Sequence, residues 1–67
     1  MIKKQVGNRI KFLRHELAIS QEELADKAEV HRTYIASVEV GKRNISIVTL
    51  EKIVNALEVT LSEFFNF

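Results

Sequence analysis

A chain of 67 residues without cysteine has neither disulfides nor a thiolate zinc site to reinforce it, and it lies near the lower size at which one apolar core holds a fold. The lack of disulfides, of an apolar signal-peptide run near the amino end and of any membrane-length apolar stretch leads us to expect one soluble, cytoplasmic unit over residues 1–67, without membrane contact. The formal net charge of +1 conceals an asymmetry, because residues 1–15 carry Lys3, Lys4, Arg9, Lys11 and Arg14 and no acid, whereas residues 50–67 carry Glu51, Glu58 and Glu63 against Lys52 alone. Such a basic end either meets a polyanion or solvates a helix face.

With no proline, two glycines and no alternating β-branched run, the chain reads as all-α, in five helices. Val6, Ile10, Leu13 and Leu17 recur at helical spacing and predict a first helix over about residues 3–18. Ser20-x-x-Glu23 is a capping box, which starts a second helix at Gln21 with Leu24, Ala25 and Ala28 inward. A third helix begins near Arg32, with Ile35 and Val38 as apolar anchors and His31 at its cap position, and stops before Gly41. After the loop GKRNIS, Ser46 caps a fourth helix over about residues 47–57 that carries Leu50, Ile53, Val54 and Leu57. Thr60-x-x-Glu63 repeats the capping box and opens a last turn or two.

Two short helices joined by a turn, the second amphipathic and polar outside, form the unit that lays a helix in the DNA major groove. Small Ala25 permits their close crossing, and Leu24, Ile35 and Val38 fill the wedge between them. On this pattern of Gln21, Ala25, Glu29 and Ile35 the chain resembles the helix-turn-helix proteins typified by phage Cro and repressor domains, and so a lambda-repressor-like five-helix fold is implied. SQEELADKAEV, TYIASVE, GKRNIS and LEKIVNALEV look like family segments in the right order. More narrowly, HRTYIASVEVGKRNIS is similar to the controller proteins of restriction-modification systems, which are small dimeric regulators. Three positions depart from the family pattern: Glu29 stands where glycine or asparagine is usual, Ala36 replaces a frequent serine, and Val40 replaces a frequent base.

With Ile35 and Val38 inward, Arg32, Thr33, Ala36 and Ser37 face outward and Tyr34 lies on the flank. Arg32 is suited to bidentate hydrogen bonding with guanine, and Thr33 to a base edge or thymine methyl. Ser37 is a third candidate for base contact, or else a small residue at a helix crossing. Tyr34 reaches a phosphate or sugar, or packs in the core. Gln21, at the amino end of the second helix, is placed to hold a phosphate. The resemblance implies backbone or groove contacts for Arg43 and Asn44, although Arg43 could instead pair with Glu39 and Asn44 could simply shape the turn.

His15 and His31 lack the neighbouring ligands of a metal site, and no nucleophile elbow, phosphate loop or carboxylate pair is present, so neither a metal, a cofactor nor an enzymatic activity is expected. The end LEVTLSEFFNF is unusually apolar for a terminus. Leu61, Phe64, Phe65 and Phe67 are therefore expected to form a homodimer interface together with the end of the fourth helix, the alternative being that Phe64 and Phe65 close the core and only Phe67 is exposed. The expected function is transcriptional regulation by a homodimer on a near-palindromic double-stranded DNA operator, most specifically that of a restriction-modification operon. An activator would also touch RNA polymerase, through Glu22, Glu23 and Asp26, and no small-molecule effector is expected. A different class, an antitoxin or polymerase adaptor that uses the fold to bind protein, is the alternative.

Overall fold

The computed structural model describes residues 1–67 and holds five helices and no strand: α1 (Ile2–Glu16), α2 (Gln21–Ala28), α3 (Arg32–Glu39), α4 (Ile47–Ala56) and α5 (Leu61–Phe64). Both capping boxes form as the sequence predicts. Ser20 Oγ accepts from the Glu23 amide at 3.0 Å while Glu23 Oε1 accepts from the Ser20 amide at 2.8 Å, and Thr60 and Glu63 repeat the pair at the same two distances. Ser46 Oγ accepts from the Thr49 amide at 3.1 Å and starts α4. His31 occupies the cap position of α3, but its side chain makes no capping bond.

The first four helices stop in the same way, with a residue in the left-handed region followed by a bond back across the last turn. The left-handed residues are Ala18, Glu29, Gly41 and Glu58, at φ of 56°, 60°, 78° and 64°. The closing bonds run from Ile19 N to Arg14 O, Val30 N to Ala25 O, Lys42 N to Ser37 O and Val59 N to Val54 O. Three of the four carry a Cβ there, at a cost of about 1 kcal/mol each. What offsets it is the residue that follows, since Ile19, Val30 and Val59 all pack against the core. Glu29 is thus left-handed in the position the helix-turn-helix pattern reserves for glycine or asparagine, and the turn is not displaced. Gly41 is different, because a Cβ there would lie 2.6 Å from Lys4 Cγ as well as being strained.

The core gathers one face from every helix, with Ile10, Leu24, Ile35, Ile53 and Phe64 wholly inaccessible. Helices α1 and α2 both pack on α3, and α4 closes the other side of α2. Gly7 allows α1 to lie directly on the end of α3, where a Cβ would collide with the Val38 carbonyl oxygen. At the same crossing, Arg14 Nε donates to Glu39 Oε2 at 2.7 Å and Arg14 Nη2 to Glu39 Oε1 at 3.1 Å, a bidentate pair whose side chains are 9% and 2% exposed. Arg14 Nη1 also donates to the Ile19 carbonyl at 2.9 Å, and Gln21 Nε2 donates to Glu39 Oε1 at 3.0 Å. The Glu39 carboxylate therefore ties α1, α2 and α3 together, and the guanidinium bound to it adds the α1–α2 turn. Arg14, four residues after Ile10, lies on the inward stripe of α1, so it belongs to the interior rather than to a basic outer face.

Glu39→Ala would leave the Arg14 guanidinium buried without its counter-charge, and a loss of about 3–5 kcal/mol is expected from urea denaturation. That is at least about a third of the about 3–10 kcal/mol available to a chain of this size, and all of it at the lower end. A loss under about 1 kcal/mol, the worth of an exposed pair, would contradict the role given to this bridge. Glu29→Gly relieves the left-handed strain and should raise the thermal midpoint by a few degrees, to the extent of at most about 1 kcal/mol. A lowered midpoint would show that the Glu29 side chain contributes more than its backbone strain costs.

Candidate nucleic-acid interface

The turn between α2 and α3 spans Glu29 to His31, and Leu24, Ala25, Ile35 and Val38 are buried between the two helices. Burying Ile35 and Val38 turns the opposite side of α3 outward. Arg32 and Thr33, in its first turn, are exposed, while Tyr34, Ala36 and Ser37 are half-buried. The structure places Arg43 and Asn44 on the exposed loop between α3 and α4.

Arg43 does not pair with Glu39, which is already occupied by Arg14 and Gln21. It folds back over α3 instead: Arg43 Nε donates to Ser37 Oγ at 3.1 Å, and its guanidinium carbon lies 5.0 Å from the centre of the Tyr34 ring. Ser37 Oγ in turn donates to the Tyr34 carbonyl at 3.0 Å. The Ser37 hydroxyl is thus engaged on both sides within the protein, and what stands beside it on the outer surface is Arg43. Tyr34 packs against the core, as the second of its two readings has it, and also offers a ring face to Arg43. Gln21 is half-buried, and its amide is held by Glu39 rather than standing free at the head of α2.

The five bases of the amino end separate into two sets. Arg14 lies inside the protein, and Arg9 turns toward the carboxyl end, donating to the Phe64 and Glu63 carbonyls at 2.8 Å each and lying 5.6 Å over the Phe12 ring. A face made of all five bases is therefore not formed. Lys3, Lys4 and Lys11 remain exposed. Lys4 packs against Gly41 beside Lys42, and Lys3 lines a shallow groove of about 220 Å³ with Arg43 and Asn44, so the first turn of α1 adds charge beside the α3–α4 loop.

The carboxyl end differs from both arrangements expected for it. Phe64 is fully buried and cannot serve as an interface residue, because α5 directs it into the core while Arg9 holds the carbonyls at the end of that helix. Leu61, Phe65 and Phe67 are exposed at 37%, 43% and 57%. The end of α4 is also unsuited to an interface, since Ala56 and Leu57 are buried; Ile47 and Val48, at its start, are the exposed apolar residues of that helix. Nothing in the sequence reading singled out Ile47 and Val48, although their place off the stripe of Leu50, Ile53, Val54 and Leu57 was a usable signal.

No three His, Asp or Glu side chains come together as a metal site, and no helix is long and apolar enough to cross a membrane. Two short helices held at a fixed crossing, with a polar second helix facing out, define a helix-turn-helix protein. Residues 10–64 match the helix-turn-helix family model, and with half of its residues shared with a control protein the chain belongs to that family. Control protein C.MunI of a Mycoplasma species is 50% identical over 97% of this chain and 89% of its own length. Among solved structures, the restriction-modification controller protein C.AhdI of Aeromonas hydrophila is similar with a TM-score of 0.90 and 36% identity over 94% of this chain and 91% of its own. The controller protein C.Esp1396I, solved as a tetramer with its natural 35 base-pair operator, is similar with a TM-score of 0.93 and 40% identity over 97% of this chain and 86% of its own.

Proposed function

We propose that this protein is a transcriptional regulator of the restriction-modification controller type, which binds a near-palindromic DNA operator as a homodimer. The observation that carries the reading is the outward presentation of Arg32 and Thr33 at the head of a helix whose other side is locked by Ile35 and Val38. A rigid helix with an exposed guanidinium in its first turn fits the major groove, where that group meets guanine O6 and N7. Lys42 and the lysines at the start of α1 are exposed around the α3–α4 loop and supply positive charge for phosphates, and Asn44 adds a neutral donor there. The solved complex of C.Esp1396I with its operator supports the same use of the fold in a protein 40% identical.

Dimerisation rests on apolar surface. Leu61, Phe65 and Phe67 at the carboxyl end, with Ile47 and Val48 at the head of α4, are costly to leave in water and suit a self-complementary interface. Such a two-fold would set paired α3 helices about 34 Å apart, one turn of B-DNA, and so call for an operator with two related half-sites. Glu22 and Asp26 of α2 are exposed and open to a polymerase in an activator, whereas Glu23, also exposed, uses one carboxylate oxygen to cap the helix.

Selection from random duplex DNA at physiological salt should return two related half-sites. Affinity for that operator should fall with a log-log salt slope of about −0.9 per phosphate neutralised. Arg32→Ala should flatten preference at one position in each half-site, by about 1–3 kcal/mol. Recovery of no preferred sequence, with affinity indifferent to salt, would leave the protein-binding adaptor as the better reading. Sedimentation at micromolar concentration should show a dimer for the native chain and a monomer for Phe65→Asp, whose charge cannot be buried unpaired. A native chain that sediments only as a monomer would remove the homodimer.

A further inference from the structure

Resting on the operator reading above and on the loop contact with DNA expected of Arg43, we infer that Ser37 is a positioning residue that acts through Arg43 and sets the direction from which Arg43 reads a base pair beside the one read by Arg32. The observation is the linked arrangement of three side chains on the outer face of α3. Ser37 Oγ receives the Arg43 Nε proton at 3.1 Å and passes its own to the Tyr34 carbonyl at 3.0 Å, while the Tyr34 ring lies under the guanidinium at 5.0 Å.

An exposed loop arginine ordinarily explores many rotamers, and its ordering would oppose binding. Here the edge of the guanidinium is held by a hydroxyl and its face lies over an aromatic ring, two contacts that narrow the directions open to it. Nε is consumed, and the two Nη groups at the far end have no partner within the protein. Their parallel N–H bonds form the end-on fork that fits the two acceptors of guanine. The chain of two hydrogen bonds through Ser37 also strengthens each, because a hydroxyl that donates is a better acceptor. Ser37 does this at only a small cost to α3, since a serine that bonds back to a carbonyl one turn earlier is tolerated in a helix.

The two guanidinia would therefore reach DNA in different ways. Arg32 comes from the helix itself, whereas Arg43 comes from a loop and owes its direction to α3. For the Ser37 hydroxyl to donate to a base edge it would have to give up its bond to the Tyr34 carbonyl, and only its second lone pair is left to accept from a base.

Sequence selection and competition binding with the full chain test this. Ser37→Ala should lower discrimination by about three- to ten-fold, the worth of one such hydrogen bond, at the base pair that Arg43→Ala also flattens. It should leave the Arg32-dependent position unchanged. Ser37→Thr, which keeps the hydroxyl, should restore the native preference, and Ser37→Ala should add nothing in the Arg43→Ala background. In the free protein, the Arg43 Nε proton should be protected from solvent exchange in the native chain and Ser37→Thr, and exposed in Ser37→Ala. Loss at a position that Arg43→Ala leaves intact would mean that Ser37 reads the base itself and would overturn the inference. So would a native preference in Ser37→Ala, or a loss in Arg43→Ala that is uniform over all sequences, as for a phosphate contact. An operator selected by the native chain together with any of these results would sink this inference alone; no operator at all would sink it with the reading beneath it.

Discussion

Glu39 stands at the end of α3 with its carboxylate shared between Arg14 of α1 and Gln21 of α2. Its burial makes the arrangement intolerant, because a carboxylate that is 2% exposed is costly without its full complement of donors. Here every buried polar side-chain atom has a partner. The pitch of α3 against the other two helices therefore depends on whether one bidentate bridge is made. An apolar contact at the same place would tolerate sliding; a bridge with two parallel N–H donors does not. Under the proposed function, in which α3 enters a groove at a fixed angle, that difference is functional as well as structural.

Around this bridge α3 divides its residues by direction. Ile35, Val38 and Glu39 face inward and locate the helix, while Arg32 and Thr33 are left to meet a partner. Between the two sets lie Tyr34 and Ser37, half-buried residues that belong fully to neither. Their contacts with Arg43 extend the ordered surface from the helix onto the loop that follows it. A loop without regular structure thereby gains a side chain of defined direction. Gly41 allows this return, since its left-handed φ of 78° turns the chain and its missing side chain makes room for Lys4.

The small size of the chain also leaves apolar surface uncovered. Phe64 is taken into the core, and Phe65 and Phe67 then have no interior left to occupy. Their rings stack edge-on and tilted around Phe64, at centroid distances of 5.0 to 6.4 Å, so the patch is an ordered extension of the core. Arg9 fixes it from the other side by holding the last carbonyls of α5. In a protein of this size a second copy can complete what one chain leaves open.

The elements and their starting points were written locally. Ser20 with Glu23, Ser46, and Thr60 with Glu63 cap helices through bonds that span three residues, and the stripes of α1 and α4 repeat at the period of a single helix, so both are legible without any knowledge of the fold. The outward placement of Arg32 and Thr33 followed equally from the inward spacing of Ile35 and Val38. The partners of the long charged side chains were not legible. Arg14 meets Glu39 across 25 residues, Arg9 meets Phe64 across 55, and Arg43 chooses Ser37 over Glu39 because Glu39 is already filled from another helix. Flexible side chains with several donors have many acceptors within reach in sequence, and only the packing of helices on one another decides which remains free. That packing likewise drew Phe64 inside and left Ile47, Val48 and Phe65 outside, since a core of fixed volume admits one ring where the sequence offers three.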